Sequence, residues 1–143
     1  MNGNLEDITM LLSSINFYKT KAKNIQKTCQ ILVEKYQSIV PQALEDLIQL
    51  PGVGRKTANV VIGQAFGQPG ITVDTHLKRL VNRMGFSKNQ DPVKVEMDCQ
   101  KIWDESMWTP FSTVLILHGR ETCKARRPDC ESCVVFNECL RVL

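Results

Sequence analysis

With 143 residues, 43% of them hydrophobic and 23% charged, the chain has the composition of one ordinary folded domain, or of one domain with a small appendage. No apolar run approaches membrane-spanning length, and the polar, acidic residues 1–7 form no secretory signal, so an intracellular protein with no membrane partner is expected. The net charge of +3 does not demand a nucleic-acid partner and permits one where basic residues cluster.

Taken in order, the apolar spacing is helical throughout. Leu5, Ile8, Leu11 and Leu12 predict a helix over residues 4–14, and Ala22, Ile25, Cys29, Leu32, Val33 and Tyr36 form one stripe over 18–36. After Pro41 a short helix is expected over 44–50. Pro51 stops it, a Gly-Val-Gly turn follows, and a further helix runs to about Phe66. Gly67-Gln68-Pro69-Gly70 is a stop signal, and the β-branched Ile71-Thr72-Val73 reads as an extended connector rather than a sheet strand. Asp74 or Thr75 caps a helix to Met84, ended by Gly85. Asp91-Pro92 opens a helix to about Met107, and Pro110 opens another that turns Phe111, Val114 and Leu115 inward and ends near Gly119. Nothing reads as a sheet. The expectation is an all-α protein, with a helical domain over 1–119 and a cysteine-organised loop over 120–143.

Three stretches carry chemistry. In Leu50-Pro51-Gly52-Val53-Gly54-Arg55-Lys56 the two glycines can adopt backbone angles closed to other residues and let N–H groups approach a ligand. The next helix begins there, so its unpaired N–H groups and positive dipole end favour an anion, and a DNA phosphate suits such neutral donors. A tight turn between core helices, with Lys56 an ordinary surface lysine, is the plain structural alternative. Lys56 is also a potential nucleophile, since an amine attacks carbon when neutral, a form that burial or nearby cations favour. Asp74 is by itself a common helix cap. Yet Lys56 and Asp74 each begin one of two consecutive helices, so both side chains can open onto one cleft. A carboxylate beside an amine can serve a carbon centre that becomes cationic. His76 reads as a packing or surface residue.

The third stretch is Cys123-x6-Cys130-x2-Cys133-x5-Cys139, four of the six cysteines. Without a secretory signal a disulfide framework is disfavoured. Structural zinc usually arrives on two short hooks, and here there is one hook with two longer arms, which favours a cubane iron–sulfur cluster over zinc. Lys124, Arg126 and Arg127, pinned between two of these cysteines, form a candidate phosphate clamp, the alternative being a solvated charge run. Cys29 and Cys99 are most simply core residues.

These motifs, with Val73-Asp74-Thr75-His76, Leu117-His118-Gly119-Arg120 and the segment from Phe17 to Ile25, resemble in order and combination the endonuclease III family, the iron–sulfur branch of the helix-hairpin-helix DNA glycosylases. The resemblance runs over essentially the whole chain. It implies a helix-hairpin-helix fold with part of a six-helix barrel, the hairpin lying at about 44–66. It implies excision of damaged pyrimidines from duplex DNA, with Lys56 as the catalytic lysine that attacks C1′ and forms a Schiff base, followed by β-elimination 3′ to the lesion. Asp74 matches the catalytic aspartate. Gly52, Val53 and Gly54 match the phosphate-binding hairpin, and Cys123, Cys130, Cys133 and Cys139 match the ligands of a [4Fe–4S] cluster. His118 and Arg120 receive no catalytic role. The implied partner is double-stranded DNA with a damaged base or an abasic site, met by a monomer. Adenine glycosylases of the same superfamily lack the lysine at the position of Lys56. Family members carry roughly 60 to 70 further residues ahead of this sequence, on the order of half a typical domain. A truncated product or an upstream start is therefore expected, with apolar surface left exposed and a catalytically inert DNA-binding module as the alternative function.

Overall fold

The computed structural model describes residues 3–141, and among these every regular element is helical. Seven α-helices follow in order: α1 (Leu5–Leu11), α2 (Tyr18–Tyr36), α3 (Leu44–Leu47), α4 (Arg55–Ala65), α5 (Thr75–Met84), α6 (Pro92–Ile102) and α7 (Trp108–Glu121), with a 3-10 turn at Glu105–Met107. Two compact units divide the chain, Met1–Ala58 and Asn59–Leu143, and the boundary falls inside α4.

In the first unit α1 packs on α2. Asn4 caps α1 by accepting from the Glu6 N–H. Tyr36, at the end of α2, donates to Asp46 Oδ1 at 2.9 Å and so fixes α3. The helix expected to reach Leu50 is shorter. Beyond Leu47 the chain tightens into i→i−3 bonds, Gln49 N–H to Asp46 O and Leu50 N–H to Leu47 O, which aims it into the turn. The expected exposed apolar surface is present: Leu11, Phe17, Val33 and Ile39 are 80, 81, 62 and 67% exposed. Cys29 is also exposed, which corrects its placement in the core. The stripe that carries it is only partly covered.

The second unit holds the main core: Ile71, Val73, Leu77, Leu80, Val81, Val95, Cys99 and Leu115. Cys99 behaves as expected. Burial, then the nearby Asp98 and Glu96 carboxylates, push its thiol up to about 12, so it stays a protonated, apolar side chain. Gly85 ends α5 in the left-handed conformation, and Asp91 caps α6 by accepting from Val93 and Lys94.

The expectations about the last helices are corrected. The α6 helix ends at Ile102 rather than Met107, because Trp103 turns extended and stacks on Phe111, with ring centroids 3.8 Å apart, while Phe86 meets it edge-on at 4.8 Å. The α7 helix starts two residues before Pro110, which is tolerated in the first turn where its missing N–H has no helical partner. Val114 points outward, and the inward face is Phe111, Ser112, Leu115, Ile116 and Gly119.

Gly119 is therefore no helix stop. It lies inside α7 where this helix crosses α5, and a Cβ there would meet His76 Cβ at 3.0 Å and Leu80 Cδ1 at 3.1 Å. Replacing Gly119 with Val should overpack this crossing and lower stability by about 1–3 kcal/mol, read from urea unfolding by circular dichroism. An unchanged midpoint would contradict the close approach.

Candidate functional site

The Gly-Val-Gly turn is built from below by α2. Thr28 donates to Pro51 O at 3.2 Å, and the Val53 N–H closes the turn on Leu50 O at 3.0 Å. Gly52 has φ +78°, and a Cβ there would stand 2.5 Å from the Asn24 amide nitrogen. Gly54 differs. Its φ is not positive and nothing lies within 4 Å of where its Cβ would be, so its exposure, not its backbone angle, is what glycine supplies. Its carbonyl receives the Ala58 N–H and so starts α4. Lys56 is the second residue of α4 and is exposed. The Val53 N–H is spent within the turn, which leaves Gly52 and Gly54 as the glycine donors available to a ligand.

Asp74 is held by a different device. The connector Ile71-Thr72-Val73 is buried yet belongs to no helix or sheet, so its backbone groups need other partners. Asn59 donates to Ile71 O at 2.8 Å. The Thr72 N–H donates to Ser112 Oγ at 3.0 Å, and the Gly70 N–H donates to Thr109 Oγ1 at 3.2 Å. This clamp delivers Asp74 to the start of α5, where Oδ1 accepts the Leu77 N–H at 2.8 Å. The cap uses one of the two carboxylate oxygens.

The four loop cysteines come together. Cys123, Cys130, Cys133 and Cys139 line one hollow, shared with Arg83, His118 and Phe136. Among the described residues no three His, Cys, Asp or Glu side chains converge as they would on a single metal ion. Four thiols lining one hollow fit a cysteine-ligated group. Lys124, Arg126 and Arg127 are exposed on the first arm of the loop, and Arg127 takes a left-handed backbone, φ 54°.

Arg79 and Arg83, on successive turns of α5, were not singled out by the sequence reasoning. Arg79 donates to Gly119 O and Cys123 O, each at 2.7 Å. Arg83 donates to Lys124 O at 2.8 Å and Ala125 O at 3.0 Å, and its Nη1 lies 3.4 Å from Cys123 Sγ. His118 Nε2 lies 3.5 Å from Cys133 Sγ. The available signal was two arginines at i and i+4 on a helix that offers no acidic partner at either spacing.

The profile of HhH-GPD superfamily base excision DNA repair proteins matches residues 1–105. The chain belongs to this superfamily. Within it, the chain is 46% identical over 138 residues to endonuclease III of Synechocystis sp., covering 96% of the chain and 63% of that protein. It is 44% identical over 135 residues to endonuclease III of Escherichia coli K12, covering 94% and 64%. The chain thus spans less than two thirds of these relatives. It superposes on a trapped endonuclease III–DNA covalent intermediate with a TM-score of 0.91, at 43% identity, over 96% of this chain and 65% of that one. A thermostable thymine-DNA glycosylase has the same fold, with a TM-score of 0.87 at 22% identity. The expected all-α, helix-hairpin-helix glycosylase fold is therefore the observed one.

The two hairpin glycines should respond differently to substitution. Gly52→Ala forces a side chain into the left-handed region and against Asn24, and is expected to cost about 1–2 kcal/mol. Gly54→Ala should stay within about 0.5 kcal/mol of wild type. Urea titrations of the two variants check this, and equal losses would contradict the assignment of strain to Gly52 alone.

Proposed function

We propose that this HhH-GPD chain carries chemistry of the endonuclease III type on duplex DNA that holds an oxidised pyrimidine or an abasic site. Lys56 attacks C1′ of the extruded nucleotide. The bond from C1′ to the base breaks, and the base leaves with the electron pair and takes up a proton. The amine, joined to C1′, becomes a Schiff base as the sugar ring opens. Loss of a proton from C2′ then expels the 3′ phosphate and cleaves the strand 3′ to the lesion. Asp74 supports the cationic sugar through the carboxylate oxygen its cap leaves over. Gly52 and Gly54, on the turn closed by Val53, offer N–H groups to a phosphate at the start of α4. Lys124, Arg126 and Arg127 add phosphate contacts, and the protein acts as a monomer.

One observation carries this reading. A solved relative that superposes over 96% of this chain was captured in covalent linkage to DNA. Covalent capture needs a nucleophile, and Lys56 is an exposed amine at a helix start beside the Gly-Val-Gly turn.

Cys123, Cys130, Cys133 and Cys139 would hold a [4Fe–4S] cluster, as their shared hollow supports. When bound it supplies a rigid four-cornered anchor and a one-electron centre. The loop between the first two cysteines then presents its cations from a fixed backbone. Iron and sulfide in the purified protein are the expected result, and zinc alone would reject the cluster.

The direct test is borohydride reduction in the presence of DNA containing an abasic site. A covalent protein–DNA adduct is expected from the wild type and none from Lys56→Ala. Binding without any adduct would reject the lyase and leave a DNA-binding module. For the loop, the double variant Arg126→Ala/Arg127→Ala should weaken binding to unrelated duplexes alike and make the slope of log K against log salt shallower by about 2. An unchanged slope would remove both residues from the interface.

A further inference from the structure

The guanidinium of Arg83 is used in an unusual way. Its Nη1 donates to Lys124 O at 2.8 Å and lies 3.4 Å from Cys123 Sγ, and its Nη2 donates to Ala125 O at 3.0 Å. The backbone carbonyl of the same residue lies 3.9 Å from Cys139 Sγ. Arg83 thus touches the first and last cysteines of the loop and the backbone that leads to Arg126 and Arg127. Arg79, one turn earlier, makes no such sulfur contact. Its Nη2 donates to the carbonyls of Gly119 and Cys123.

We propose that Arg83 is a positioning residue with two coupled effects: it donates to the Cys123 sulfur, which holds the reduction potential of the cysteine-bound centre up, and it clamps the cationic loop for DNA. The inference rests on the [4Fe–4S] reading of the four cysteines. A reduced cluster is more negative than an oxidised one, so a cation and N–H donor at a ligating sulfur favour the reduced form. The forked guanidinium can meet a sulfur and two carbonyls at once. A lysine ammonium keeps the charge but is a single point on a flexible stem. The two effects therefore separate on substitution. Charge governs most of the potential, and the fork governs the loop.

The experiment uses the purified, cluster-loaded protein as wild type, Arg83→Gln and Arg83→Lys. Iron and sulfide content, helical circular dichroism, the reduction potential by film voltammetry and affinity for undamaged duplex DNA are measured on each. At wild-type iron content, Arg83→Gln should show a more negative potential and a several-fold loss of DNA affinity. Arg83→Lys should recover much of the potential but not the affinity. Should Arg83→Gln lose its iron, Arg83→Lys decides: wild-type affinity there overturns the clamp. Identical potentials in the iron-loaded proteins overturn the proposal and leave the cluster reading intact. A wild type without iron and sulfide overturns the cluster reading itself, and this inference with it.

Discussion

A buried stretch of backbone that lies outside any helix or sheet must find its hydrogen bonds in side chains, and Gly70–Val73 is such a stretch. Each unpaired amide or carbonyl there would cost on the order of 1–3 kcal/mol. Asn59 on α4 and Thr109 and Ser112 on α7 supply the partners. Three polar residues at helical positions, two of them nearly inaccessible to solvent, are thereby explained. The same bonds fix where α5 begins, and so fix Asp74. The Asp74 carboxylate therefore has a defined origin, set by a buried connector rather than an exposed loop.

Helix α5 then works on two faces. Leu77, Leu80 and Val81 enter the core, while Arg79 and Arg83 reach the carbonyls at the end of α7 and the start of the cysteine loop. The cap at its first residue and the arginines of its later turns lie on one rigid element. Gly119 lets α7 approach closely enough for Arg79 to reach the Gly119 carbonyl. These polar ties hold the start of the cysteine loop, while Leu140 near its end packs at Gly85.

Much of this was legible in the sequence where the signal is local. The caps at Asp74 and Asp91, the stop at Gly85 and the connector 71–73 depend on residues within a few positions of one another, and each stands where it was expected. The failures involve partners distant in the chain. The end of α6 was misplaced because Trp103 leaves the helix to stack on Phe111. Gly119 was taken for a stop because the helix it accommodates lies some 40 residues earlier, at His76 and Leu80. Cys29 was assigned to the core because a helical stripe gives the direction of a face and not the extent of its covering.

For the site the division is similar. The sequence alone determined the chemical types: an amine and a carboxylate at two consecutive helix starts, a glycine turn, and four closely spaced cysteines. These are properties of residue identity and of short intervals along the chain. Only the tertiary structure decided that strain falls on Gly52 and not on Gly54, that the four sulfurs share one hollow, and that Arg79 and Arg83 support it. A guanidinium reaches across packed helices to atoms about 40 residues away, and that contact is a consequence of packing, which no local pattern encodes.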